Sequence, residues 1–311
     1  MKRCLLITLC LAATLAYAVP NTPFNPGFAG FKVTVQGVDN DYNVLALSVM
    51  PNETLHIKPA VETAVAVNGG LLKRSHGYNW GWKAPAKSGL YPISISTKKG
   101  QRMTLNVFVL RPASEIKKGK LDGYRIGVYP EKPFKGLASY REPKGYIEVN
   151  ATNKATLVSP HFTLEQFLCK LPAVNGKKFI VVQTPLLLKL EKILSAVNAK
   201  GFRTDSFFVM SGYRTPFYNR SIRSSRNSRH IYGGAADIYI DVSPQDGVMD
   251  DLNNDKKINR KDAAVLYDLI DQLSRQQGWI IGGLGEYEAN HAHGPFVHVD
   301  SRGYRARWGK P

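Results

Sequence analysis

The segment SRHIYGGAADI, residues 228–238, is the most informative stretch for the fold and chemistry of the C-terminal half of the chain. In it, His230 is followed by paired glycines that permit a tight turn and a close backbone approach, after which Asp237 opens a strand. A second segment, GPFVHVD at 294–300, has the length of a short strand and carries His298. Two imidazoles and one carboxylate suit a tetrahedral zinc ion whose fourth position is left for water. These residues therefore predict a metal site of the hydrolytic kind.

The strand at 294–300 also predicts a supporting group for this site. His298 and Asp300 are two positions apart, and alternate residues of a strand lie on one face. We expect the Asp300 carboxylate to orient an imidazole ligand by accepting the hydrogen bond of its second ring nitrogen.

The segments around these motifs predict an α+β domain over residues 156–311. Apolar residues recur at helical spacing in three stretches, and three short apolar runs are typical of buried strands. The predicted helices are 164–169, 185–199 and 263–276, and the predicted strands are 207–210, 236–242 and 296–299. We expect the helices at 185–199 and 263–276 to pack on a sheet formed by these strands.

The N-terminal half predicts a separate β-rich domain at residues 19–112. Short apolar runs alternate there with turn signals, which is typical of a small β-sandwich of the immunoglobulin-like type. Trp80, Trp82 and Tyr91 are expected in its core. Residues 113–155 hold many basic and turn residues and few long apolar runs, so we expect them to form a connector.

The composition limits the partners of the protein. The chain has 311 residues, of which 43% are hydrophobic and 21% charged, and this balance excludes a disordered, coiled-coil or collagenous chain. Lys and Arg number 42 against 24 Asp and Glu, which gives a formal net charge of +18. This excess predicts attraction to a polyanion, such as nucleic acid, anionic lipid or an acidic cell-wall polymer.

The first 18 residues predict a cleaved secretory signal peptide. Two basic residues precede an apolar run of about a dozen residues, too short to span a bilayer, and Ala16-Tyr17-Ala18 supplies a small-x-small cleavage site. Processing leaves Cys169 as the one cysteine, so we expect no internal disulfide. No later apolar run is long enough for a transmembrane segment. Secretion across the inner membrane, to the periplasm or beyond, favours the cell envelope over nucleic acid as the partner.

Three motifs, SGYRTPFYN at 211–219 and the two quoted above, resemble the zinc D-Ala-D-Ala carboxypeptidases and the related murein endopeptidases. These proteins share a fold with the signalling domain of hedgehog proteins. The likeness covers residues 156–311, with the motifs in the family's order. The family pattern S-x-H-x-x-G-x-A-x-D is met by Ser228, His230, Gly233, Ala235 and Asp237. The resemblance implies that His230, Asp237 and His298 bind zinc.

The same resemblance implies the catalytic and substrate-binding residues. Family members that use a glutamate base carry it three residues before the last ligand, and Pro295 at that position excludes this form. Other members carry a histidine five residues before it, which is His293 here. Arg214 is implied as a donor to the substrate carbonyl or terminal carboxylate, and Ser228 as a hydrogen-bonding partner of the same end. Three neighbouring residues are left open as substitutes for the base: Glu286, Glu288 and His291.

Residues 251–262, DLNNDKKINRKD, have the spacing of an EF-hand calcium loop and most resemble the loop of dockerin modules. Lys256 replaces the glycine of loop position 6, so an Asx-rich turn that caps the next helix is the alternative. A bound calcium ion would brace an insertion at 246–262 and have a structural role. The predicted calcium ligands, at loop positions 1, 3, 5, 7, 9 and 12, are Asp251, Asn253, Asp255, the backbone oxygen of Lys257, Asn259 and Asp262.

Together these features predict a secreted zinc peptidase that cleaves D-amino-acid-containing bonds in the stem peptides of peptidoglycan. The added N-terminal domain and the positive charge favour an endopeptidase over a DD-carboxypeptidase. Arginines at 220, 223, 226 and 229 are expected either to face stem-peptide carboxylates or to form a solvated loop. The alternative function is a catalytically inactive, zinc-containing module that binds the wall or a protein. The oligomeric state is left open.

Overall fold

The computed structural model of the protein describes residues 23–276 and 278–309. The predicted signal peptide, residues 1–18, lies outside the described residues. Within them, no helix is long and apolar enough to cross a membrane. Two hydrophobic cores organise the chain, one in the N-terminal part and a larger one in the C-terminal part.

Nine strands form the N-terminal part: β1 (Phe28–Val35), β2 (Val38–Tyr42), β3 (Val44–Val49), β4 (Thr54–Pro59), β5 (Thr63–Val67), β6 (Leu71–Arg74), β7 (Trp80–Lys83), β8 (Gly89–Thr97) and β9 (Arg102–Val109). They make two sheets, with strand orders β2-β1-β4-β7-β6 and β3-β9-β8-β5. All neighbouring strands are antiparallel except β3 and β9, which are parallel.

Side chains from both sheets meet in the N-terminal core. Burial alternates residue by residue along β1 and β4, because alternate side chains of a strand face opposite sides. Trp82 is fully buried in this core, while Trp80 and Tyr91 pack against it as partly buried side chains. The segment is thus rich in β-structure, and its immunoglobulin-like type stays a prediction.

Residues 113–155, expected to be a connector, pack into the C-terminal core instead. Three of their side chains, Leu121, Tyr124 and Tyr146, are fully buried there. The apolar residues of this segment are too scattered to show a periodic pattern, yet the short strands and turns bring them to one side. Its strands, with the last residues of the preceding segment, are β10 (Arg111–Pro112), β11 (Lys120–Leu121), β12 (Tyr124–Arg125) and β13 (Gly145–Val149).

The remaining elements are β14 (Leu157–Ser159), β15 (Phe162–Thr163), β16 (Lys178–Ile180), α1 (Thr184–Ala199), β17 (Phe208–Ser211), α2 (Pro216–Ser221), β18 (Ala235–Tyr239), α3 (Arg260–Leu273), β19 (Gly283–Tyr287), β20 (Phe296–Asp300) and β21 (Ala306–Trp308). A five-stranded sheet has the order β17-β18-β20-β19-β21, in which only β19 and β21 are parallel neighbours. Helix α3 packs on this sheet and on α1, so the domain is α+β as predicted.

The predicted helices at 185–199 and 263–276 are confirmed as α1 and α3, and the three predicted strands as β17, β18 and β20. Helix α1 buries an apolar stripe and begins with a proline in its first turn. Asn259 caps α3 by accepting a hydrogen bond from a backbone N–H of its first turn.

The predicted helix at 164–169 is wrong. Only one 3₁₀ turn forms, Leu164–Phe167, and Leu168 after it is extended. The carbonyl oxygen of Phe167 accepts a hydrogen bond from the backbone N–H of Tyr213, at 2.9 Å. Tertiary contacts of this kind occupy the acceptor that a continuing helix would need.

The two parts of the chain are joined along α1 and β3. The Asn106 side chain donates to the carbonyl oxygen of Leu157 at 2.8 Å, and the Thr184 hydroxyl donates to that of Ala46 at 3.1 Å. Leu188 of α1 contributes to the N-terminal core. These contacts fix the sandwich against the domain that carries the metal motifs.

Candidate metal centre

Three predicted metal ligands converge in the C-terminal sheet. His230 lies in the 3₁₀ turn Arg229–Tyr232, Asp237 in β18 and His298 in β20. Asp237 and His298 are direct cross-strand partners in the antiparallel pair β18–β20, which sets their side chains next to each other. Asp237 and His298 are 61 residues apart along the chain, and this strand register brings them together.

The three ligand atoms have the spacing of a tetrahedral site. Asp237 Oδ1 lies 2.8 Å from His298 Nδ1 and 3.2 Å from His230 Nε2, and the two imidazole nitrogens are 3.2 Å apart. Metal–ligand bonds of about 2.0–2.1 Å place tetrahedral ligands about 3.3 Å apart, so the observed spacing is close to that of a zinc site. All three side chains are buried.

The glycine after His230 is required by the backbone. Gly233 has a φ of +66°, and a β-carbon there would lie 2.2 Å from the carbonyl oxygen of Val181. The carbonyl oxygen of Gly233 accepts a hydrogen bond from the backbone N–H of Gln183 at 2.9 Å. The turn that positions His230 is therefore pressed against the segment leading into α1, where only glycine fits.

Each histidine has its outer ring nitrogen held by an acceptor. His230 Nδ1 lies 2.7 Å from the carbonyl oxygen of Gly212, and His298 Nε2 lies 3.1 Å from Asp300 Oδ2. Asp300 is fully buried and also accepts the backbone N–H of Gly283 at 2.8 Å and the guanidinium of Arg302 at 2.5 Å. With those nitrogens protonated, the lone pairs of His230 Nε2 and His298 Nδ1 point to the centre.

The electrostatics of the centre favour a cation. Burial lowers the pKa of His230 to about 4, so its imidazole is neutral at neutral pH. Burial opposes ionisation of Asp237, but the hydrogen bonds and charges of His230, His298 and Arg214 outweigh it and hold its pKa well below its usual range. Burial also opposes a charged His298, yet its hydrogen bonds to Asp237 and Asp300 raise its pKa. Positive charge is thus favoured beside these two carboxylates, and a divalent cation would supply it.

Arg214 orients Asp237. Its Nη2 donates to Asp237 Oδ2 at 2.5 Å, and its Nε donates to the Ser211 hydroxyl at 2.8 Å. This ion pair occupies the outer carboxylate oxygen and leaves Oδ1 for the metal. The predicted donation from Arg214 to substrate stays a prediction, and the residue does line the cleft over the centre.

A cleft of about 800 Å³ opens over the three ligands. Among the described residues that line it, Asp237 is the only acidic one, whereas Arg214 and Arg302 add positive charge. The substrate-binding residue predicted from sequence, Ser228, also lines it. Its aromatic walls include Tyr140, Tyr287, Phe296, Tyr304 and Trp308.

His293 lies in the wall of this cleft. Its Nδ1 is 2.8 Å from the carbonyl oxygen of Gly294, and its Nε2 is 2.8 Å from the side-chain nitrogen of Asn290. The ring packs edge-on against Phe296, with centroids 4.8 Å apart. The Gly294 contact fixes a proton on Nδ1, so Nε2 is the acceptor nitrogen and its lone pair receives the hydrogen bond that the Asn290 side chain donates.

The three other candidates for the base do not line the cleft. Glu286 is buried and accepts a hydrogen bond from Arg260 at 2.5 Å, on the side of α3. Glu288 and His291 are exposed in the loop before β20.

The predicted calcium residues lie together in one loop before α3, but their oxygens are engaged within the chain. Asp262 is fully buried and accepts the backbone N–H groups of Leu252 and Asn259 at 2.9 and 2.8 Å. The Asp251 carboxylate accepts the N–H of Lys256 at 2.7 Å. In the described part of the chain, the group of His, Cys, Asp or Glu side chains able to hold a metal is the one at His230, and calcium binding stays a prediction.

Some supporting groups were not predicted from sequence. The Gly212 carbonyl and the Gly283 N–H are main-chain groups, and the type of a residue does not indicate which hydrogen bonds its main chain makes. Arg302 had a signal, because it follows Asp300 by two residues in HVDSR, where an arginine can turn back to the carboxylate.

The buried His-Asp-His set, the acceptors on its outer nitrogens and the cleft above it are the features of a hydrolytic zinc centre. The chain is similar in this region to a known family: residues 160–257 match Peptidase M15, a stretch that includes His230 and Asp237. This match supports a zinc-dependent peptidase. No curated protein matches the chain.

Proposed function

We propose that the protein is a secreted zinc peptidase that hydrolyses D-amino-acid-containing peptide bonds of peptidoglycan. The observation that carries the proposal is the convergence of His230, Asp237 and His298 within a single cleft, in a chain that matches Peptidase M15. The donor set fits zinc, because it offers two neutral nitrogens and one carboxylate oxygen, and leaves a coordination position toward the cleft.

Zinc bound by these residues would lower the pKa of a water ligand from about 15.7 to about 7 and polarise the carbonyl of the scissile bond. In our proposal, His293 Nε2 exchanges the hydrogen bond it accepts from Asn290 for one from the attacking water, takes up the proton of that water and delivers it to the leaving amine. Arg214 and Ser228 hydrogen-bond the substrate on the same side of the cleft, and Arg214 also keeps Asp237 in place.

An endopeptidase acting on cross-links is the preferred form of this activity. The formal charge of +18 suits an anionic polymer, and the β-rich segment fixed along α1 adds a surface beside the peptidase domain. We further propose that the first 18 residues direct the protein across the inner membrane, to the periplasm or outside the cell.

The test is mass analysis of purified muropeptides after incubation with the full chain and zinc. An endopeptidase splits cross-linked dimers, whereas a DD-carboxypeptidase removes one terminal alanine from pentapeptide monomers. Either activity should vanish with a chelator and in His230→Ala, and persist in the control His76→Ala, which changes an exposed histidine of the sandwich. Bound zinc with unchanged muropeptides would instead identify a zinc-containing binding module.

A further inference from the structure

The arginines at positions 220, 223, 226 and 229 have different surroundings. Arg229 is buried, donates to the carbonyl oxygen of Ser139 and stacks on Tyr140, its guanidinium carbon 4.5 Å from the ring centroid. Its contacts are with the protein interior, and it supports the turn that carries His230. The other three are exposed and can meet a ligand from solvent: Arg220, Arg223 and Arg226.

Two of the exposed arginines line cavities that continue the metal cleft. A cavity of about 290 Å³ shares Phe134 and Asn227 with the cleft and is also lined by Arg226. A further cavity of about 460 Å³ shares Arg226 with the second one and is lined by Arg220. The three cavities are therefore neighbours on the surface, and we call the row from the metal centre to these guanidiniums the groove. Arg223 lines none of the three.

The loop that carries Arg226 is ordered by hydrogen bonds. The N–H of Ser224 donates to the carbonyl oxygen of Asn219, and the Asn219 side chain donates to that of Ser225 at 2.9 Å. Arg220 donates to the carbonyl oxygen of Val128 at 3.1 Å, which holds its guanidinium over the groove. These hydrogen bonds give the loop a defined conformation, while its arginine side chains are exposed to solvent.

The arginines of this groove differ in their ion pairing. Arg214 and Arg302 at the metal centre each form an ion pair, with Asp237 and Asp300. Across the described residues, no carboxylate oxygen lies within 4.0 Å of the Arg220 or Arg226 guanidinium. The wall adds Lys132, with Glu131 beside it as the one acidic side chain. An exposed guanidinium that no carboxylate pairs with is available to bind an anion from outside.

We propose that Arg226, assisted by Arg220, forms a subsite that binds a free carboxylate of the substrate peptide. This proposal rests on the proposed function, and the ligand is then a carboxylate of the stem peptide, such as the α-carboxylate of D-glutamate. The guanidinium donates two parallel N–H bonds to it, while the scissile bond lies at the other end of the groove over the metal centre. The subsite selects peptides that carry this charge over their amidated forms.

The experiment compares two cross-linked muropeptides, one with free and one with amidated glutamate α-carboxyl groups, as substrates of the full chain. We expect Arg226→Ala to raise KM for the free acid about tenfold, with kcat little changed, because solvent screening of the exposed guanidinium keeps its two hydrogen bonds well below their full value. The amidated substrate should be affected less than about twofold. Arg220→Ala should act in the same direction, and the control Arg223→Ala should match the wild type.

The outcomes separate the subsite from the proposed function. If the wild type cleaves both substrates and Arg226→Ala is unchanged, or impairs both equally, the subsite is refuted while the function stands. If the wild type cleaves neither, binding of both peptides to the protein is measured by calorimetry. Tighter binding of the free acid that is lost in Arg226→Ala supports the subsite without the activity, and equal or absent binding refutes it.

Discussion

Replacing Asp300 with asparagine should weaken zinc binding by reversing the tautomer of His298. Asp300 accepts three kinds of donor: His298 Nε2 at 3.1 Å, the Gly283 N–H at 2.8 Å and the Arg302 guanidinium. An asparagine has one acceptor oxygen, so its NH₂ group must face either Gly283 or His298. If it faces His298, the ring proton moves to Nδ1, the nitrogen that points to the metal.

Loss of a carboxylate that orients a metal-binding histidine costs about 10–100-fold in metal affinity, or about 1.4–2.7 kcal/mol. We therefore expect Asp300→Asn to raise the zinc dissociation constant within this range, measured by competition with a chromophoric chelator. Asp271→Asn is the matched control, because Asp271 pairs with Arg275, Arg305 and Arg307 away from the centre. Circular dichroism establishes that each variant is folded. A folded Asp300→Asn protein with wild-type zinc affinity would refute the role assigned to Asp300.

Three further predictions concern stability and calcium. Gly233→Ala should lower the free energy of unfolding, measured by urea denaturation, by about 2–4 kcal/mol, because the backbone has positive φ and the new methyl group meets Val181. Gly136→Ala is the control: its φ is similar but its surroundings are open, so it should lower the free energy of unfolding by only about 1 kcal/mol. Burial opposes protonation of His161, but the hydrogen bond and charge of Glu191 on α1 outweigh it and raise the pKa of His161. The ion pair therefore stabilises the fold fully below about pH 6.5, the unfolded-state pKa of histidine, and this stabilisation is lost as the pH rises through the folded-state pKa. His161→Gln should therefore lower the urea midpoint more at about pH 5.5 than at about pH 9, and an equal loss at both would contradict this. If the loop 251–262 binds calcium, millimolar calcium should raise the melting temperature of the zinc-loaded protein. An unchanged melting temperature would indicate that the loop is only a turn that caps the next helix.

The metal site was the most predictable part of the molecule. Two histidines and one aspartate in short motifs gave both the ligands and the i, i+2 support from Asp300, because strand geometry fixes which side chains share a face. The two motifs are far apart along the chain, but the register of β18 and β20 pairs Asp237 with His298 and so places the motifs side by side.

The packing of segment 113–155 into the C-terminal core and the early end of the helical turn at 164–169 could not be predicted, because tertiary contacts decide them. Isolated apolar residues such as Tyr124 are buried by partners far along the chain, which local periodicity does not encode. The 164–169 stretch has helical spacing, but the carbonyl oxygen of Phe167 is taken by Tyr213. Likewise, only the fold shows that Arg229 is internal while Arg226 lines a groove.

The proposed zinc peptidase is tested by zinc content and muropeptide hydrolysis measured on the same preparations of wild type and His230→Ala. We predict one zinc ion per wild-type chain, cleavage of a D-amino-acid-containing bond, and loss of both in His230→Ala, which should remain folded. Cleavage that persists in a zinc-free His230→Ala protein would contradict it.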